Sequence, residues 1–122
     1  MMKEQAAKLK LFFSGFGIPA YARMSVPDEV TLPYIAYDLV EPRWDQQANM
    51  SCQVYYPRNQ LEELLTTADA IKAAIGEGLQ ITMSSGYIML YLANTADQEI
   101  SDEYSQSTYI SLLINAYHLP GQ

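Results

Sequence analysis

The 122-residue chain has one cysteine, one tryptophan and one histidine. A lone Cys52 excludes an internal disulfide and a cysteine-built metal site, and it suits a reducing compartment. A lone His118 leaves no second histidine to share a metal ion, so no metal and no cofactor is expected. No apolar run approaches the ~18–20 residues that a membrane-spanning helix needs. The apolar run at residues 9–13 is broken by Lys10 and followed by no small-residue cleavage site, so no signal peptide is expected. Basic residues are scarce: seven Lys and Arg stand against 14 Asp and Glu, a net charge of −7. After Lys72 there is no Lys or Arg, while Glu77, Asp97, Glu99, Asp102 and Glu103 all lie there. Gripping nucleic acid requires cations against phosphates, so no specific nucleic-acid binding is expected. A surface past which DNA slides without sticking is compatible with this charge. The N-terminal stretch has the opposite bias, with Lys3, Lys8, Lys10 and Arg23 against Glu4.

What is present is a globular composition, 49% apolar, at a length that suggests one domain. A chain of this size buries roughly two-thirds of its unfolded surface, enough for a core without staples. Residues 46–75 organise it. Gln47, Asn49, Ser51 and Gln53 alternate with Ala48, Met50, Cys52 and Val54, the pattern of a half-buried strand with one wet face. A helix follows over 59–76, placing Leu61, Leu64, Leu65, Ala68, Ile71 and Ile75 on one stripe. Asn59 is a candidate N-cap with Glu62 three residues on, and Gly76 and Gly78 end the helix. An apolar strand face and an apolar helix stripe must meet, so a helix lies across a sheet.

Residues 3–13 form an amphipathic helix with Ala6, Leu9, Phe13 and Phe16 on one side, stopped by Gly15, Gly17 and Pro19. It either docks on the edge of its own domain or acts as an arm on a neighbouring subunit. Residues 18–33 read as a connector with a turn at Asp28 and Glu29. Residues 32–40 read as a strand with Ile35, Tyr37 and Leu39 on one face and Tyr34, Ala36 and Asp38 on the other. Pro42 and Trp44 mark a hairpin link, with Trp44 as a lid on the core rim. Strands follow at 79–83 and 87–92, joined by Ser84-Ser85-Gly86. Residues 94–103 read as a solvated acidic loop lacking calcium-loop spacing. A last strand runs over 104–117.

The expected architecture is α+β: one mostly antiparallel sheet of about five strands, a long helix on one face and a short N-terminal helix. Its parts are a helix or arm at 1–17 and a sheet-and-helix core at 32–117. The face opposite the long helix is predicted to carry Tyr87, Met89, Tyr91, Tyr109, Leu113 and Tyr117. Ten tyrosines against three phenylalanines suit a contact surface, because tyrosine buries a ring while keeping a polar tip. Ala70, Ala73 and Ala74 make the outer side of the long helix small and apolar, a second place for another body to approach. A serine nucleophile would need a base and an oxyanion site. Acid–base chemistry would need carboxylates such as Asp38, Glu41 or Asp45 gathered in a cleft. The spacing indicates neither, and no enzymatic activity is expected.

The run Leu32-Pro33-Tyr34-Ile35-Ala36-Tyr37, then Trp44, then the alternating strand into Tyr55-Tyr56-Pro57-Arg58 and the Leu-rich helix, resembles the tail-terminator and tail-completion proteins of long-tailed phages and prophages. These proteins are also described as minor capsid or head–tail joining proteins. The resemblance covers residues 32–117 in element order and size, and no single residue in it is diagnostic. It implies a virion structural protein whose subunits form a ring, commonly of six, that caps the tail tube and meets the head connector. The channel of such a ring passes DNA and tends to be acidic. The resemblance also implies location in the virion, and in the cytoplasm of the bacterial host during assembly. The alternative is a small acidic bacterial binding or adaptor domain that uses the same tyrosine-rich face.

Overall fold

The computed structural model describes residues 2–40, 42, 46–84, 86–93, 98–101 and 105–118. Helix α1 (Met2–Phe13) runs into a 3-10 turn, Ser14–Phe16, and is followed by β1 (Ala20–Ala22) and a second 3-10 turn, Arg23–Ser25. Then come β2 (Tyr34–Tyr37), β3 (Gln47–Pro57), α2 (Leu61–Ile75), β4 (Leu79–Met83), β5 (Gly86–Leu92), β6 (Gln98–Ser101) and β7 (Ser105–His118). The protein is α+β. Its curled sheet has the order β1-β2-β3-β7-β5-β4, with β6 beside β7.

The two longest strands form the spine. β3 pairs antiparallel with β7 from Gln47 opposite Asn115 to Pro57 opposite Ser105. On its other side β7 meets β6 first and β5 next, over Gln106–Tyr109 and Leu112–His118 respectively. The Ala93 N–H, donating to the Ser111 carbonyl at 2.9 Å, carries the ladder between them. All pairs are antiparallel except β1 with β2.

Two strands exceed the expected five. β1 lies in the stretch expected to be a connector, and β6 lies in the stretch expected to be a solvated loop. Three residues, Ala-Tyr-Ala, are too few to show alternation, and β1 becomes a strand only because β2 lies alongside it. β6 is likewise made by its neighbour β7. Trp44, Glu41, Asp45, Asp97, Asp102 and Glu103, to which the sequence assigned a lid, carboxylate or loop role, lie outside the described residues.

One face of the sheet is largely apolar, with Thr108 of β7 a buried polar residue on it. Met50, Cys52 and Val54 of β3, Ile110, Leu112, Ile114 and Ala116 of β7, and Ile88 and Leu90 of β5 are buried there, 4% exposed at most. The register sets these residues opposite one another, as in Met50–Leu112, Cys52–Ile110 and Leu90–Ile114. Helix α2 covers this face with Leu64, Thr67, Ala68, Ile71 and Ile75. Leu61 and Leu65, expected on the stripe, are instead 44% and 39% exposed. Leu65 is one residue, about 100° of rotation, off the buried line set by Leu64, Ala68 and Ile71. Thr67 takes a core position because its hydroxyl and the Tyr56 hydroxyl share a buried hydrogen bond of 2.7 Å. Gln60, not Asn59, occupies the cap position, without a side-chain cap bond. Lys72, near the C-terminal end, pairs with Asp69 at 3.6 Å.

Helix α1 lies on the same face as α2. Leu9 and Phe13 are fully buried in the common core, and the Phe13 ring stacks on Tyr37 at 4.6 Å. Its polar residues tie it to both outer edges of the sheet. The Ser84 N–H and hydroxyl, beside β4, donate to the Glu4 carboxylate. At the other end the Lys10 ammonium donates to the Ala20 carbonyl of β1. Gln5, fully buried, donates to the Val40 carbonyl. The N-terminal helix is thus docked within its own domain and bridges the two edges of the curl. Among the described residues no helix is long and apolar enough to cross a membrane.

Candidate interaction surface

Among the described residues the opposite face of the sheet carries no helix. Strand alternation turns Tyr21, Tyr34, Tyr55, Tyr87, Tyr91, Tyr109 and Tyr117 outward onto it, seven of the ten tyrosines. Tyr37 and Tyr56 point into the core instead. All six residues expected on this face do lie there: Tyr87 pairs with Tyr117, Met89 with Asn115, Tyr91 with Leu113, and Tyr109 with Gln53. Each is half-buried.

They fall into two patches. In the first, over β5 and β7, the Tyr87 and Tyr117 rings stack at 5.1 Å, and the Asn115 amide donates to the Tyr117 hydroxyl at 2.9 Å. The Tyr91 ring lies over Gly78, where a Cβ would sit 2.9 Å from its Cε1 atom. Gly78 has φ +155°, a backbone that side chains rarely adopt. A residue without a Cβ therefore lets the ring lie flat on the sheet margin.

The second patch was only partly foreseen. Tyr34 stacks on Tyr55 at 4.6 Å, Tyr21 meets Tyr34 edge-on at 6.3 Å, and the Arg23 guanidinium sits over Tyr109, 5.5 Å from its centroid. Tyr109 belongs to this patch, separated from Leu113 by Ser111. The missed tyrosines had a signal, since Tyr34 and Tyr55 alternate with Ile35 and Val54. Arg23 had none, because its role depends on β1 folding beside β2.

Arg23 ties the patch together. Its Nε donates to Asp38 at 2.8 Å, Nη1 to Gln53 at 3.1 Å and Nη2 to the Ser51 hydroxyl at 3.4 Å. The Ser51 N–H and hydroxyl each donate to the other Asp38 oxygen at 3.0 Å. Gln53 donates to the Ser107 hydroxyl at 2.7 Å and accepts from the Tyr55 hydroxyl at 2.6 Å. Burial pushes the Asp38 carboxyl up, but the Arg23 and Ser51 hydrogen bonds and the guanidinium charge outweigh it and hold Asp38 below its ordinary value. Burial lowers and Asp38 raises Arg23, whose net shift is upward. Burial raises Tyr34 and Tyr55. The face expected to be wet is therefore dry at its centre, with Gln53 4% and Ser107 3% exposed under the rings and Arg23. A polar residue can be buried on an uncovered sheet face when every group on it finds a partner.

Between the patches runs an open groove of about 390 Å³ floored by Ser51, Ser111 and Ala93, with Asp38 at one end. A second, of about 490 Å³, lies beside Arg23, Leu39 and Val40. Among the described residues Asp38 is paired with Arg23 rather than clustered with other acids. Among the described residues no three His, Cys, Asp or Glu side chains converge as metal ligands would.

Ala70, Ala73 and Ala74 are exposed on α2, on the other side of the domain from the tyrosines. The two places marked from sequence for the approach of another body are therefore separate surfaces. Comparison with protein-family models and with curated proteins finds no match to this chain.

Proposed function

We propose that this chain is a non-enzymatic virion structural protein of a phage or prophage, a tail-terminator or head–tail joining subunit. Copies of it assemble into a ring that caps the tail tube and meets the head connector. One observation carries the reading: seven tyrosines, with Met89 and Leu113, on a sheet face that neither helix covers. Domains rarely keep two aromatic patches on one uncovered sheet face without a partner to cover them. The order of elements from 32 to 117, shared with tail terminators, gives that partner an identity, namely further copies and the adjoining tail and head proteins. The grooves on the face are open, which favours a broad protein contact over an enclosed small-ligand site.

The test is light scattering coupled to size exclusion, with negative-stain imaging, at concentrations on the order of tens of micromolar. A closed ring that is lost in a folded Tyr91→Lys/Leu113→Lys variant supports the proposal. A monomer with and without purified tail-tube and connector proteins overturns it. A monomer that instead captures a peptide or small ligand in the Asp38–Ser111 groove establishes the adaptor alternative.

A further inference from the structure

Four large hydrophobic side chains are exposed among the described residues: Leu11 at 72%, Met24 at 97%, Leu61 at 44% and Leu65 at 39%. Three of the four stand on the outer sides of the two helices, and those sides are opposite in charge. Lys3, Ala7, Leu11 and Ser14 form the exposed side of α1 and the turn after it, with Lys8 half-buried beside them and Lys10, though exposed, donating to the Ala20 carbonyl of its own domain. Across this segment there are three lysines and one acid, and that acid, Glu4, is turned to Ser84. The exposed side of α2 presents Leu61, Glu62, Glu63, Leu65 and Asp69, with Glu77 just beyond. The single cation of α2, Lys72, is paired with Asp69.

We infer that the outer side of α2 in one copy docks on the outer side of α1 in another copy, leucine against leucine with the acids of α2 facing the lysines of α1. The occupant is a second copy because both halves of the match are found on one chain. Opposite charges around exposed apolar residues steer and orient such a contact, and like faces, α1 on α1 or α2 on α2, are disfavoured by their own charge. A contact between two different faces of the same chain repeats from copy to copy and closes into a ring when the rotation allows. The inference rests on the ring-forming reading above and adds a second contact between subunits to the one made through the tyrosine face. It also gives α1 both roles considered from sequence: Leu9 and Phe13 hold it in its own domain while Leu11 and the lysines meet a neighbour.

Charge reversal tests it with surface residues that the core does not use. Lys3→Glu/Lys8→Glu and Glu62→Lys/Glu63→Lys are made separately and together, with circular dichroism confirming the fold. Each separate pair should weaken assembly at least about tenfold, and the four-residue variant, in which both faces are reversed, should restore it. Wild-type assembly should also weaken as salt is raised from about 0.05 to about 0.5 M. In a mixture of Leu11→Cys and Leu65→Cys chains, oxidation should give a mixed disulfide dimer, the buried Cys52 being out of reach. Assembly untouched by either reversal, without the mixed disulfide, overturns the inference while the ring survives. A species that stops at two copies but responds to the reversals keeps the contact and overturns the ring. A strict monomer, alone and with the tail-tube and connector proteins, overturns both.

Discussion

Phe13→Ala is the sharpest probe of how this fold is held together. The side chain is fully buried and lies nearly parallel to Tyr37, 15° between the ring planes at 4.6 Å. Its truncation removes a ring from the place where α1 crosses the sheet. Burial of this kind, with the cavity left behind, costs about 3–5 kcal/mol, of which the aromatic stack contributes ~0.5–1.5 kcal/mol. Against a total stability of about 5–15 kcal/mol that is a large fraction. With a urea dependence of ~1–3 kcal/mol/M, the unfolding midpoint should fall by roughly 2 M, followed by far-ultraviolet circular dichroism. The control sits two residues earlier. Leu11 is 72% exposed, and Leu11→Ala should change the stability of the monomer by less than about 0.5 kcal/mol. If Phe13→Ala costs under about 1 kcal/mol, α1 is a detachable arm and the docking described above is wrong.

Two further substitutions test the polar contacts. Thr67→Val leaves the buried Tyr56 hydroxyl without its 2.7 Å partner and should cost about 1–3 kcal/mol in chemical denaturation. Adding Tyr56→Phe should recover part of that loss, and strictly additive losses would show that the two hydroxyls are uncoupled. Asp38→Asn removes the carboxylate held by Arg23 and Ser51. Because the folded protein lowers this carboxyl, its stabilisation is present above the unfolded value near pH 4 and is lost as pH falls through the folded value. The variant should therefore be less stable than wild type at pH 7, with the gap narrowing below about pH 4; a gap that stays constant with pH would refute the ion pair as its cause.

Much of the fold was legible along the chain because it is written in local periodicity. Alternation over 47–54 fixed which residues of β3 face the core, and the same two-residue rhythm put Tyr87, Met89, Tyr91, Tyr109, Leu113 and Tyr117 together on the other face. Helix α2 could be read from its spacing, but its precise rotation could not. Leu61 and Leu65 satisfied a hydrophobic stripe as well as Thr67 did not, and only the Tyr56 hydroxyl waiting opposite made Thr67 a core residue. The bearing of α1 was also open, since an amphipathic helix shows that it needs a surface without showing whose.

By itself, then, the sequence determined the α+β class, the spine strands with their inner and outer faces, and the separation of lysines at one end from acids at the other. These follow from side-chain order along a backbone of known period. Tertiary structure alone decided that β1 and β6 are strands, that Arg23 crosses to Asp38 and Gln53, and that Thr67 rather than Leu65 turns into the core. Those outcomes depend on which segments lie beside one another after the chain closes on itself, and residues 15 to 54 positions apart carry no local mark of that meeting.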